Sequence, residues 1–161
     1  MLIASEATLF GAFIGTYFYF RFRAPQWPPD GIPEPRVVVP LILLAVLLAS
    51  SIPMHLASQA ASAGRVGAAR LFVLAALALQ AGYFAWAVHD FSAQLQMFDI
   101  TRDAYSSIYY VLLGAALAHV ALGILFDLWL LGKLVRGLTT YRLHATQAIA
   151  FYWHAVNVIA L

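Results

Sequence analysis

Few side chains in this sequence could exchange a proton or hold a ligand, and nearly all of them sit inside apolar runs. Glu6 lies in the first run, His55 in the second, His119 and Asp127 in the fourth, and His154 in the last. Ionisable residues at membrane depth are rare and mark function by default. Glu6 reads in two ways: a buried carboxylate beside a proton or lipid site, or a carboxylate near enough to the cytoplasmic face to reach water. Ala7, Gly11 and Gly15 follow it at a spacing of four, which admits a close helix neighbour. Ala115, His119, Gly123 and Asp127 also fall at intervals of four and make one stripe on a helix. A haem or metal role for His119 would need a second ligand. No single helix carries a His–His pair at ligand spacing, so a structural hydrogen bond is the leading reading. Asp127 is about 9 Å from Lys133 by helical rise, close enough to snorkel toward the cytoplasm. Measured from Arg21 and Lys133, Glu6 and Asp127 come out at similar depth, where two carboxylates could form a proton-collecting site.

Gln147, Ala150, His154 and Asn157 give the last run a polar face, which must point at protein because lipid cannot satisfy it. Interhelical hydrogen bonding is its expected role. Ser50, Ser51, Pro53 and His55 mark a kink in the second run, with His55 in a packing or lipid-headgroup position.

The elements that position these residues follow from composition. Of 161 residues, 63% are hydrophobic and 10% charged, and the mean hydropathy is +0.83. Soluble domains carry about 45–50% apolar and about 25% charged residues. A water-soluble monomer, a disordered chain and a nucleic-acid-binding domain are therefore excluded. Cysteine is absent, which removes disulfides and thiolate metal clusters. No phosphate loop or HExxH motif occurs.

Five runs approach the roughly 20 apolar residues of a spanning helix: Leu2–Phe20, Val37–Ala61, Leu71–Val88, Tyr105–Leu131 and Thr146–Leu161. The fold class is all-α, a polytopic transmembrane bundle of five helices in one domain over residues 1–161. The short last run and the start at Met1 read as the ordered or truncated part of a longer protein. Leu2–Phe20 lacks the basic flank and cleavage site of a signal peptide. Arg21–Arg36, with five prolines, is expected to be an extended loop. Ser62–Arg70, His89–Ala104 and Lys133–Arg142 are the other connections.

Arg65, Arg70, Lys133, Arg136 and Arg142 lie on one side, and Arg21, Arg23, Arg36 and Arg102 on the other. The positive-inside rule puts the first side in the cytoplasm with the N-terminus, and five spans put the C-terminus outside. Trp27 and Trp86 then mark the outer interface and Trp129 the inner one, while Trp153 packs inside the bundle.

Several segments occur together in a telling order: Ser5-Glu6 before an aromatic-rich helix, Trp27-Pro28-Pro29-Asp30-Gly31-Ile32, Val39-Pro40-Leu41 leading to Leu48-Ala49-Ser50-Ser51, Tyr105-Ser106-Ser107, Gly114 with His119-Val120 and Gly123, and Phe151-Tyr152-Trp153-His154-Ala155-Val156-Asn157-Val158. Over nearly the whole chain this pattern resembles the cytochrome c oxidase subunit III family of the haem–copper oxidases. The resemblance implies a non-catalytic bundle packed directly on subunit I, with subunit II and other respiratory-complex subunits as further partners. It implies haem and copper in those partners and none in this chain, no metal site and no catalytic residue here, bound phospholipid, and support of proton uptake and sustained oxygen reduction in aerobic respiration.

On this reading Glu6, Asp127, His119 and His154 are the proton-uptake or buried-polar candidates, and Trp27, His55, Trp153, Gln147 and Asn157 the lipid or packing candidates. A bacterial-type plasma membrane, rather than the mitochondrial inner membrane, is the implied location. Departures mark a divergent branch: Ala116 stands where the family often has His, Gly82–Tyr83 where a Glu is common, and Gln147 and Asn157 where acids flank the Y-W-H motif. The alternatives are a partner of nitric oxide reductase, or a small b-type cytochrome with His119 and His154 as axial ligands.

Overall fold

The computed structural model describes residues 2–32, 37–137 and 139–160, and every regular element among them is an α-helix. Pro33, Pro35 and Arg36 of the proline-rich connection, and Leu161 of the last run, lie outside the described residues. The helices are α1 (Leu2–Arg23), α2 (Val38–Ala49), α3 (Ser51–Ser62), α4 (Val66–Leu95), α5 (Ala104–Leu134) and α6 (Thr140–Ile159). α2 and α3 are the halves of one span broken at Ser50, so the bundle has five rods. Pro53 has no N–H to continue the ladder, and Ser50 Oγ turns back to donate to Leu47 O at 2.6 Å. The break therefore falls where the serines and proline placed it.

Among the described residues, three rods are long and apolar enough to cross a membrane: Val38–Ser62, Val66–Leu95 and Ala104–Leu134, with mean hydropathies of 2.1, 1.9 and 2.1. Polar residues dilute α1 and α6, which pack in the same bundle.

Two boundaries differ from the apolar runs. α4 continues past Val88 to Leu95, so His89 and Asp90 are helical rather than part of a loop. Local hydrogen bonds carry the helix on after its hydropathy falls: Ser92 Oγ donates to Val88 O at 2.8 Å, and Gln94 Nε2 donates to Asp90 Oδ2 at 2.5 Å. α6 begins at Thr140, ahead of its apolar run, because Thr139 Oγ1 accepts from Arg142 N at 3.3 Å and caps it. Asp103 caps α5 in the same way, accepting from Ser106 N at 2.8 Å.

α3 and α4 form a hairpin whose turn includes Gly64, at φ +71°. Ala57, Ala60, Ala61, Ala69, Val73 and Ala76 are buried in its core. Lipid tails are as apolar as these side chains, so close approach through small residues supplies the van der Waals contact that holds such helices together. Val120, Leu130 and Leu134 of α5 and Ile149, Trp153 and Val156 of α6 complete the core.

α1 lies outside this group. It touches α5 and, less extensively, α6, and its Phe22 is 82% exposed. An added Cβ at Gly11 or Gly15 would meet no atom within 4 Å, so the small-residue seam finds no close neighbour among the described residues. A smaller aromatic cluster joins the end of α1 to the start of α5. Trp27 lies 5.4 Å from Tyr17 and 5.0 Å from Tyr105 between ring centroids. Arg102 Nη2 donates to Asp30 O at 2.6 Å and ties the two loops there.

Candidate functional site

The chemistry gathers at the middle of α5, where His119 is the central residue of a 31-residue helix. His119 Nε2 stands 3.5 Å from Glu6 Oε1 of α1. Its Nδ1 stands 2.6 Å from Ala115 O. A carbonyl only accepts, so Nδ1 carries a hydrogen and Nε2 faces the carboxyl. The facing atoms are an imidazole nitrogen and a carboxyl oxygen at ion-pair distance. Phe10 closes over the imidazole at 5.2 Å, edge to face. Tyr152 Oη donates to His119 O at 2.9 Å and fixes this turn of α5 against α6. Glu6 is only 5% exposed, which removes the reading in which it reaches water directly. Its Oε2 is buried without a hydrogen-bond partner.

This pair stands on the wall of a cavity of about 420 Å³. Ile14 and Tyr17 of α1, Leu47 of α2, Tyr83 of α4, Leu112 and Leu113 of α5 and Val156 of α6 are among its lining residues. The cavity is therefore an apolar slot with a few polar groups, the make-up of sites that hold hydrophobic small molecules.

Asp127 belongs to a different place. Eight residues beyond His119 on α5, it is roughly 12 Å farther along the axis, so Glu6 and Asp127 do not share a depth or a site. Distance from the nearest basic residue does not fix the depth of either acid, because α1 meets α5 at His119. Asp127 is 0% exposed. The side chains it faces are Gln80 of α4 and Trp153 of α6. None of the three closes to full hydrogen-bond geometry, and the Asp127 oxygens, both Gln80 side-chain atoms and Trp153 Nε1 are buried without partners. Snorkelling of Asp127 toward Lys133 is thus overturned. Lys133 instead sits 5.5 Å from the Trp129 ring centroid.

His154 and His119 face different neighbours. His154 lies against His55 of α3, with ring centroids 6.0 Å apart, so the two do not form a facing axial pair. Asn157 Nδ2 donates to Leu47 O at 3.1 Å and to Ser51 Oγ at 2.5 Å. Gln147 Nε2 donates to Ser62 Oγ at 3.4 Å. Among the described residues, no group of three or more His, Asp or Glu side chains could hold a metal ion.

Three residues escaped the sequence reading. Gln80 is the one amide in an otherwise apolar stretch of α4, a signal that was available. Tyr152 carries no sequence signal beyond its place in the Y-W-H motif. Arg70, counted as a loop cation, donates from Nε and Nη2 to Leu134 O at 3.0 and 2.7 Å, and it satisfies the C-terminal end of α5.

Residues 1–161 match the family profile described as cytochrome c oxidase subunit III. The chain is 28% identical over 161 residues to cytochrome c oxidase subunit 3 of Thermostichus vulcanus, covering 99% of this chain and 79% of that one. It is 28% identical over 162 residues to the Synechocystis sp. protein of the same name, covering 99% and 68%. It is 32% identical over 169 residues to that of Coturnix japonica, covering all of this chain and 64% of the relative.

Proposed function

The chain belongs to the cytochrome c oxidase subunit III family, and from that premise we propose what its geometry contributes to the oxidase. It is a non-catalytic integral membrane subunit of an oxidoreductase complex. Within that complex it packs on the subunit that carries haem and copper and reduces oxygen, with the subunit II-type partner alongside. The apolar cavity takes an acyl chain of a bound phospholipid. The Glu6–His119 pair exchanges a proton at the cavity wall and supports proton uptake during sustained turnover. The membrane is of the bacterial plasma-membrane type, with the N-terminal side of α1 toward the cytoplasm.

The observation that carries this reading is a carboxyl and an imidazole within 3.5 Å, both at mid-bundle and both lining an apolar cavity. A charge so placed is costly unless paired, and a pair that can pass one proton satisfies both groups. The test is a purified complex carrying Glu6→Gln, with subunit content held equal to the parent. Initial oxygen reduction should be retained, while proton uptake slows and activity decays sooner under continuous turnover. Parent-like uptake and lifetime would leave Glu6 a packing residue only. Loss of all oxygen reduction with the catalytic subunit intact would overturn the non-catalytic assignment.

A further inference from the structure

α3 and α6 run side by side, and their polar residues line one outward seam. His55 and Gln59 of α3 are exposed, and His154 of α6 is half-buried. His55 and His154 face each other at 6.0 Å, and Gln59 Nε2 lies 2.9 Å from His55 Nε2. Deeper along the seam Asn157 bonds Ser51, and toward the bundle end Gln147 bonds Ser62.

The depth of the histidine pair decides its meaning. Ser50 is the middle of the 25-residue span Val38–Ser62. His55 is five residues on, about 7–8 Å from mid-span by helical rise. The hydrocarbon core extends about 15 Å from its centre, so this exposed imidazole stands at acyl-chain depth, clear of the headgroups. Hydrocarbon cannot hydrogen-bond to it. Elsewhere the outer surface is what lipid tolerates: Leu41, Ile42, Leu71, Leu74 and Leu125 are all exposed. Among the described residues, the exposed α1 hydroxyls of Thr8 and Thr16 turn back on their own helix carbonyls, whereas the seam sets two imidazoles and an amide together.

We infer that the α3/α6 seam at His55, Gln59 and His154 is a docking face for a transmembrane helix of another oxidase subunit. That helix carries a carboxyl- or hydroxyl-bearing side chain at the depth of the histidine pair. Two imidazoles and an amide offer N–H donors and ring-nitrogen acceptors, and such a side chain answers both. A lipid tail would answer neither. The inference rests on the subunit III reading and adds the face that makes the contact.

The experiment uses the whole complex in its native membrane. A photo-reactive benzoylphenylalanine is placed at Leu56 or at Phe151, two exposed positions on the same outward face, 37% and 66% exposed. In parallel, His55→Leu and His154→Leu are introduced together. The cross-linked product should contain a different oxidase subunit, and the double variant should be retained in the purified complex several-fold less than the parent. Cross-links to lipid alone, cross-links to a second copy, or undiminished retention of the double variant would each overturn the docking face while the subunit assignment stands. Failure of the unaltered chain to co-purify with any oxidase subunit would overturn both. The cross-linking positions leave the seam's own polar groups intact, so they report even if the double variant fails to insert.

Discussion

Glycine behaves in opposite ways in the two parts of this bundle. At Gly123, between α5 and α6, an added Cβ would come within 2.5 Å of Trp153 Cζ2, and within 2.9 Å of two further atoms of that buried ring. At Gly11 and Gly15, on α1, the same atom would meet nothing. The group α2 to α6 is closed on itself by alanine contacts, a buried indole and the Asn157 bonds to Leu47 O and Ser51 Oγ. α1 is attached by Phe10, the Glu6–His119 pair and the aromatic cluster around Trp27. Small residues at helical spacing therefore mark close packing only where a neighbour is present. The same sequence signal stands for a finished interface on α5 and for open surface on α1.

The contrast can be broken most forcefully at Trp153. Trp153→Ala empties the centre of the closed group, and losses of buried aromatics in soluble cores run to about 3–5 kcal/mol. Thermal denaturation of the purified complex should show this chain released at markedly lower temperature, with oxygen reduction by the remaining subunits preserved. A parent-like release temperature would mean that the core does not depend on that ring.

A sharper comparison pairs two conservative changes. Gly123→Ala forces the buried indole or the α5 backbone to move, with overpacking costs of about 1–3 kcal/mol. Gly11→Ala meets no atom and replaces glycine in a helix interior, a change worth about 0.5–1 kcal/mol in the stabilising direction. The same denaturation assay should move in opposite directions for the two variants. Equal destabilisation would place an unseen neighbour against α1.

These residues also show what can be read from sequence and what cannot. The kink at Ser50–Pro53 was legible because proline removes a backbone donor wherever it stands. Three rods were legible because their apolar runs are long, and the other two because shorter apolar runs border loops rich in proline or charge. The capped start at Thr140 was missed because hydropathy marks the hydrocarbon boundary and not the helix end. The pairing of Glu6 with His119 was not legible, since the axial offset of α1 against α5 is set by tertiary packing. The burial of Asp127 was missed because Lys133 supplied a local explanation, while its actual neighbours, Gln80 and Trp153, are distant in sequence.

The smallest effect is expected outside the membrane-spanning helices. Asp99 accepts from Thr101 Oγ1 at 2.6 Å and from Thr101 N at 2.7 Å. The Thr101 hydroxyl, and then its N–H, hold this carboxyl below its ordinary value. A depressed carboxylate contributes its stabilisation above the ordinary carboxylate range and loses it as pH falls through the lower, folded value. Solvent exposure keeps the contribution slight. Amide exchange at Thr101 should be slowed at neutral pH and lose that protection on acidification, and Asp99→Ala should abolish the pH dependence. Identical profiles for parent and variant would show that the turn holds without the carboxylate.

Leu47 ties these regions together mechanically. Its side chain is one panel of the cavity wall. Its carbonyl is the anchor on which Ser50 Oγ and Asn157 Nδ2 both pull, one from the break in its own span and one from α6. Panel and anchor are the same residue, so a backbone shift at Leu47 moves both. A backbone displacement that slackens the tether between α2 and α6 therefore also carries this part of the slot wall with it.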